Sequence, residues 1–313
     1  MDISASLVKD LREKTGAGMM DCKKALTEVG GDLDKAVELL RKKGLAAAAK
    51  KAGRIASEGA VGSYLTADGR VGALVEVNCE TDFVARNEEF VAFVKDVAQQ
   101  AAEKATTETG VGADLLAQPS VAEAGQTLNE VLNTKVAKIG EKIDIRRFAR
   151  YTAEGTNLVG TYIHLGGKIG VLIELISDKD ISTSGDAQEL ARDLAMQVAA
   201  SSPAFVSRTE VPAEQTEAER RILSEQDEIK AKPEAVRGKI VEGRINKYFE
   251  QVCLLEQPFI KEPGKSVTDV INERASKLGA KMSVKRFARF VLGEGIEKKV
   301  EDFAAEVAAQ MGK

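Results

Sequence analysis

The chain has 313 residues, of which 43% are hydrophobic and 30% are charged. These proportions are typical of a soluble globular protein, and the length predicts roughly two domains of about 150 residues each. The net charge of −4 argues against a general polyanion binder, because such proteins carry a basic excess. The sequence has no apolar run of the roughly 18 residues that a membrane span needs, and no signal-peptide pattern at its start. Three widely spaced cysteines indicate reduced thiols in a cytoplasm.

Three short helical patterns, each followed by glycine, open the chain: Ser4–Thr15, Asp21–Val29 and Asp32–Lys43. Glycine directly after an amphipathic pattern is a typical helix stop. We therefore expect a small three-helix domain at the N-terminus. The alanine- and lysine-rich stretch 46–57 that follows is predicted to be a linker with helical bias.

The centre of the chain repeats itself. Val61–Val77 and Val159–Leu175 align without a gap at an offset of 98, and each has the pattern of two strands around a glycine-containing turn. Helical patterns follow each hairpin, and then Lys138–Tyr151 matches Lys277–Phe290 at an offset of 139. We predict an α+β fold in which one subdomain occurs twice, each copy an antiparallel sheet backed by helices.

The second copy contains an insertion of 42 residues relative to the first, and Thr209–Cys253 is the candidate segment. This segment is rich in charged residues, and Lys232–Pro233 is a natural break between two helices. We predict a projecting helical hairpin whose first half has a thin apolar seam of Ala218, Ile222 and Ile229. The pattern leaves open whether the hairpin is a solvated arm or a docking or dimerisation arm.

The last pattern, Ile296–Met311, is amphipathic, with its apolar residues on one stripe: Val300, Phe303, Ala304, Val307 and Met311. Such a helix packs on its own body or lies on another protein. The sequence thus predicts four modules: 1–55, 56–155, 156–292 with the inserted hairpin at 209–253, and 293–313.

A polar segment after the first hairpin carries an aromatic residue. Phe83 directly follows Asp82, between the strand pattern Val71–Val77 and a helical pattern that begins near Asn87. One alternative is that the acid caps the helix and the ring packs inward as a staple. The other is that the ring is presented outward to a partner. The equivalent pair in the second copy, Asp180–Ile181, favours the packed alternative.

Residues that carry catalytic chemistry are scarce. His164, near the second hairpin turn, is the only histidine, and no phosphate-binding or dinucleotide-binding glycine motif fits its required context. The basic pairs Arg146–Arg147 and Lys285–Arg286 alternate with apolar residues, which predicts solvated charges on one face of a sheet rather than a nucleic-acid site. We therefore expect a binding protein rather than an enzyme, without a metal site or cofactor.

Four segments resemble bacterial translation elongation factor Ts: Leu11–Leu26, Glu80–Phe90, Lys232–Arg244 and Gly293–Gln310. The resemblance covers the whole chain in order. It implies a cytoplasmic guanine-nucleotide exchange factor that acts on the GTPase elongation factor Tu during translation elongation. It also implies an N-terminal domain like the ubiquitin-associated (UBA) domain, a core of two subdomains, a coiled-coil arm and a C-terminal helical module.

The resemblance further implies which residues contact elongation factor Tu. Four consecutive residues would reach its G domain and disturb its magnesium and phosphate site: Thr81, Asp82, Phe83 and Val84. Other contacts are implied at Leu11, Arg12, Met19, Met20, His164 and Phe303. Direct contact with nucleic acid or membrane is not expected, and the arm could join two copies as a homodimer. The alternative from another class is a ribosome- or RNA-associated adaptor that uses the basic strands and has no exchange activity.

Overall fold

A computed structural model describes residues 3–297, so the predicted stripe from Val300 to Met311 lies outside the described residues. The helices are α1 Ala5–Thr15, α2 Met19–Glu28, α3 Leu33–Lys51, α4 Asp82–Ala85, α5 Glu88–Lys104, α6 Ala113–Leu116, α7 Leu128–Ile139, α8 Gly185–Ser201, α9 Ala213–Glu225, α10 Asp227–Lys230, α11 Glu234–Val252 and α12 Val267–Leu278. The strands are β1 Glu58–Leu65, β2 Val71–Cys79, β3 Thr109–Val111, β4 Ile143–Thr152, β5 Leu158–His164, β6 Ile169–Ser177 and β7 Met282–Val291.

These elements form a mixed helix and sheet fold, which confirms the predicted α+β class. One sheet has the strand order β1-β2-β4-β3 and the other the order β5-β6-β7. β5 and β6 are antiparallel, with Leu158 opposite Leu175 and His164 opposite Ile169. None of the helices between residues 3 and 297 combines the length and hydropathy that a membrane crossing requires.

The chain divides into two compact units. Among the described residues, the first comprises 3–62, 75–148 and 291–297, and the second comprises 63–74 and 149–290. The four predicted modules divide the chain differently, since residues 63–74 lie in the second unit, and the module boundaries stay a prediction.

In the first unit, α1, α2 and α3 pack around a small apolar core: Val8, Leu11, Cys22, Ala25, Leu26 and Ala36. The Ser4 hydroxyl caps α1 by accepting from the Leu7 amide, and Gly16 ends α1 with a left-handed φ of +64°. Both positions agree with the predicted limits of the first helix. The prediction for the third helix was wrong, since α3 continues past Gly44 to Lys51.

The reason is the packing of α3 against α7. A β-carbon on Gly44 would lie 3.6 Å from the carbonyl oxygen of Asn133 on α7. This distance is an ordinary van der Waals contact, so Gly44 lies in the contact between α3 and α7 without being required there. The alanines after it are strong helix formers, and together with the packing on α7 they continue the helix past the glycine. A glycine inside a packed helix has the same sequence signature as a glycine that ends a helix.

A close approach between a strand and a helix occurs in both copies of the repeated subdomain. A β-carbon on Gly62 of β1 would meet Val94 of α5 at 2.5 Å, and one on Gly160 of β5 would meet Ala191 of α8 at 2.7 Å. The aligned glycines therefore let a helix lie directly on each hairpin. In the second unit, α8 and α12 share their apolar core with β5 and β6, including Leu158, Ile173 and Leu194.

The inserted segment forms α9, α10 and α11, which have a small apolar cluster of their own: Val211, Leu223, Ile229, Val241, Ile245, Phe249 and Cys253. The predicted seam was wrong at one position. Leu223 is 7% exposed, whereas Ile222 is 59% exposed. The helix that contains both residues is turned by one position relative to the prediction, because Leu223 packs against α11.

Burial raises the pKa of the Cys253 thiol to about 11, so this thiol stays protonated at neutral pH.

The adjacent residues of α9 provide a matched test. Leu223→Ala removes buried side-chain atoms and should lower the free energy of unfolding by about 2–3 kcal/mol. Ile222→Ala truncates a side chain of similar size that is exposed to solvent. It should change the free energy of unfolding by less than about 0.5 kcal/mol. Urea denaturation followed by far-ultraviolet circular dichroism measures both. Equal losses from the two variants would contradict the packing described for the arm.

Candidate functional site

Phe83 lies on α4, a single helical turn that follows β2. Its side chain is 83% exposed. The cap of this turn is Thr81, whose hydroxyl accepts from the Val84 amide at 3.3 Å. Asp82 instead pairs with Arg86, with 2.9 Å between Oδ2 and Nη2. The packed alternative, with the acid as cap and the ring as staple, is therefore wrong, and the ring is presented outward.

A single carboxylate holds the start of this turn in place. Glu141, in the bend between α7 and β4, accepts from the backbone amides of Glu80 at 3.1 Å and Thr81 at 3.0 Å. Its other oxygen accepts from the Thr81 hydroxyl at 2.7 Å. Hydrogen bonds to an ionised carboxylate are stronger than neutral ones. Three of them on two consecutive residues leave the backbone before Phe83 little freedom.

A second tie to the same bend is common to both copies. In the first copy, Glu80 accepts from the Lys142 amide at 2.6 Å, and in the second copy Asp178 accepts from the Lys281 amide at 2.7 Å. The copies differ at the residue before this lysine, where Glu141 of the first copy aligns with Ala280 of the second. The carboxylate clamp is thus specific to the copy that presents the aromatic ring.

The equivalent loop of the second copy turns inward. Ile181, which aligns with Phe83, is buried in the core of the second unit. The Asp180 carboxylate accepts from the hydroxyl of Ser182 at 2.7 Å and from its amide at 3.0 Å, and these bonds lower the pKa of Asp180. Similar acid and apolar pairs therefore have opposite orientations in the two copies. Sequence reasoning missed Glu141, although the difference between the aligned positions 141 and 280 was a signal for it.

The other predicted contact residues of the first unit flank the turn between α1 and α2. Arg12 is exposed, and so are Met19 and Met20 at the start of α2. Exposed methionines suit adaptable binding surfaces, because the thioether side chain is flexible and polarisable. Leu11 differs from them, since it is fully buried among α1, α2 and α3. Its contribution would be to hold α1 in place rather than to touch a partner.

In the second unit, His164 is the last residue of β5 and is partly buried. Its Nδ1 lies 3.0 Å from the Tyr162 hydroxyl. The next residue, Leu165, is 69% exposed and has a φ of +48°, which is unusual for a bulky residue. The two glycines that follow Leu165 complete the tight turn between β5 and β6. Phe303 lies outside the described residues.

The basic pairs on β4 and β7 differ from the prediction. Arg146 and Arg147 contact Glu76 at 2.9 and 2.6 Å, and that carboxylate is fully buried. Lys285 and Arg286 contact the buried Glu174 at 3.1 and 2.7 Å. Their charges are thus used inside each subdomain, because a buried carboxylate needs cations and hydrogen bonds.

Other sites for small ligands are poorly defined. In the first unit, a cavity of about 600 Å³ lies among α1, α2, α3 and α7, with mixed lining that includes Lys14, Val37, Leu40 and Glu130. Between residues 3 and 297, no three His, Cys, Asp or Glu side chains are grouped so that they could hold a metal ion. The exposed aromatic loop is therefore the best defined candidate site.

Removal of the clamp should loosen this loop. In Glu141→Ala, the amides of Glu80 and Thr81 lose their acceptor, and we expect their hydrogen exchange to accelerate by about tenfold or more. Glu89→Ala is the matched control, because the Glu89 carboxylate binds Lys135 and Lys138 of α7. Amide exchange measured by NMR separates the two variants. Unchanged exchange at both amides in Glu141→Ala would contradict the role given to this carboxylate.

Comparisons with known proteins agree with the resemblance seen in the sequence. The family model described as Elongation factor TS matches residues 80–294. A protein of Trichlorobacter lovleyi named Elongation factor Ts is 49% identical over 313 residues, which cover 100% of this chain and 99% of that protein. A Nostoc protein of the same name is 48% identical over 314 residues, covering 99% of each chain. One from Clostridium botulinum is 49% identical over 311 residues, covering 99% of this chain and 100% of that protein. This chain belongs to the elongation factor Ts family.

Proposed function

We propose that the protein is a guanine-nucleotide exchange factor. It binds elongation factor Tu in its GDP-bound form, disturbs the magnesium and phosphate site, and promotes GDP release so that GTP can bind during translation elongation. It changes no covalent bond, so it is not an enzyme of a chemical reaction, and it needs no cofactor. Membership of the family supports the proposal, and the observation that carries it is the exposed Phe83 on a turn held by Glu141.

The proposed mechanism is a competition for one arrangement of the nucleotide site. A GTPase holds GDP and Mg²⁺ through a phosphate-binding loop and oxygen ligands at set positions. A partner that fits only a displaced arrangement of those groups weakens nucleotide binding. By linkage, the nucleotide weakens the partner by the same factor. A clamped turn suits this role, because a mobile loop would yield to the GTPase instead of displacing its groups.

The energies require more than one contact patch. Inversion of a population from 1:99 to 99:1 takes about 5.5 kcal/mol of differential affinity. Burial of one phenylalanine contributes about 1.5–3 kcal/mol. We therefore assign binding energy to the other predicted contacts, which are Arg12, Met19, Met20, His164 and Phe303, with Leu11 as their support. Thr81, Asp82 and Val84 complete the loop around Phe83.

The finer module assignments belong to the same proposal. The helices of residues 1–55 form a UBA-like domain, the core consists of 56–155 and 156–292, and 293–313 is a C-terminal module. The hairpin at 209–253 is a coiled-coil arm through which two copies could form a homodimer. What supports the arm is its own apolar cluster between α9 and α11. The proposed location is the cytoplasm, where translation takes place.

The alternative of an RNA-associated adaptor has less support. It relied on free positive charge along β4 and β7. Arg147 and Arg286 each contact a buried carboxylate, and the side chains of both are about three-quarters buried. A backbone phosphate would have to compete with those internal ion pairs. Binding of RNA that weakens steeply with salt would favour the adaptor.

The main test is Phe83→Ala. We expect this variant to slow the release of fluorescent GDP from elongation factor Tu at saturating factor, because the turn no longer presents the ring. Its affinity for the GTPase should stay largely intact, because the other patches remain. Stopped-flow fluorescence gives the release rate, and titration gives the affinity. Ile222→Ala is the matched control, since Ile222 is also an exposed apolar residue but belongs to α9 of the arm. A release rate for Phe83→Ala equal to that of the unmodified protein would remove Phe83 from the mechanism.

A further inference from the structure

Glu76, in the middle of β2, is a fully buried carboxylate. Arg146 and Arg147 of β4 contact its two oxygens. An unpaired buried carboxylate would be strongly unfavourable, so the two cations account for its presence in the sheet. They do not account for a third donor, the backbone amide of Gly293, which lies 2.8 Å from the same carboxylate.

The chain segment just after β7 is bound to this cluster at several points. The Arg147 guanidinium donates to the Val291 carbonyl at 3.1 Å and to the Glu294 carboxylate at 3.2 Å. The Arg146 guanidinium donates to the Glu294 carbonyl at 2.6 Å. Each arginine thus binds Glu76 with one part of its fork and the segment 291–294 with another. Arginine suits this bridging role because its donors point in several set directions.

Gly293 is required for the close fit. Its φ is +71°, and a β-carbon there would lie 2.7 Å from the Ser57 carbonyl oxygen. Any other residue would be strained and would collide with the backbone before β1. The segment therefore lies directly against the backbone at Ser57, with the Gly293 amide turned towards Glu76.

The second copy has the same buried carboxylate without a bound chain segment among its described partners. Glu174 accepts from Lys285, Arg286 and the side chain of Asn157. Arg286 lies over the Tyr151 ring at 4.1 Å. Lys285 aligns with Arg146, so a lysine pairs with the carboxylate of the second copy where an arginine does in the first. Among the contacts of the described residues, the backbone amide of Gly293 is a partner of Glu76 that has no counterpart at Glu174.

We propose that Glu76, Arg146 and Arg147 anchor residues 291–294 and thereby set where the C-terminal module, 293–313, leaves the core. They are positioning residues. Their effect on the GTPase partner rests on the proposed function, in which Phe303 of that module makes a contact. The anchor itself depends only on the contacts of the described residues.

Hydrogen exchange of the full-length protein tests the anchor. In Glu76→Gln, a neutral amide replaces the charged acceptor, and we expect the amides of Gly293 and Glu294 to exchange about tenfold faster or more. Glu174→Gln is the matched control, since it removes the same charge from an aligned strand. Faster exchange at Gly293 and Glu294 in the first variant alone supports the anchor. Equal effects of both variants, or no effect, overturn it.

A milder pair of variants covers the case in which Glu76→Gln does not fold. Arg146→Lys gives the first copy the lysine of the second, so it keeps the ion pair with Glu76 and loses the bond to Glu294. We expect faster exchange at Glu294 with little change in the urea midpoint. Lys285→Arg is the reciprocal control and should leave Glu294 unchanged. Protection of Glu294 that is the same in Arg146→Lys as in the unmodified protein would overturn the bridging role.

The functional consequence has a distinct kinetic signature. Release of fluorescent GDP from elongation factor Tu is measured against factor concentration. Arg146→Lys should raise the half-saturating concentration by about fivefold or more and leave the plateau rate unchanged. An unchanged half-saturating concentration would overturn the link to partner docking. If the unmodified protein does not accelerate release at all, the proposed function fails, and the exchange data decide the anchor on their own.

Discussion

The Glu141 carboxylate is the constraint on which the candidate site depends. A helical turn of four residues such as α4 cannot hold itself, since its nucleation costs more than its few hydrogen bonds return. Phe83 makes this worse, because an exposed ring contributes no packing. The bonds from Glu141 to residues 80 and 81 supply the missing order from outside the turn. A ring held in this way can be buried by a partner at a small cost in conformational entropy.

The duplicated subdomain explains how one scaffold holds an exposed apolar residue in one copy and a buried one in the other. Both copies keep the features that the sheet and its helix need: an aligned glycine at 62 and 160, and a buried carboxylate at 76 and 174 with two cations. They differ where a segment is held in place. The first copy has Glu141 and Arg146, where the second has Ala280 and Lys285. A few side chains therefore distinguish a packed loop from a presented one, and an ion pair within the sheet from one that also contacts residues 291–294.

Charge burial has a structural purpose in both units. The cost of removing Glu76 or Glu174 from water is offset only when cations and hydrogen-bond donors lie at short distances. Such clusters stabilise one arrangement of the strands rather than the fold in general, because a shifted register would leave a charge unpaired. This is why the pairs Arg146–Arg147 and Lys285–Arg286 do not form a free positive face. Their charges are matched within the fold by Glu76 and Glu174.

The sequence alone determined the α+β class, the duplication, the inserted hairpin and the family, because these follow from periodicity, internal alignment and long specific motifs. Contacts between distant residues decided the rest. The sequence could not tell that Gly44 continues α3, because a glycine inside a packed helix and a glycine that ends a helix look alike. Nor could it place Leu223 inside and Ile222 outside, since both are apolar neighbours. The orientations of Phe83 and Ile181 also needed the fold, because Glu141 reaches its loop from about sixty residues away in sequence.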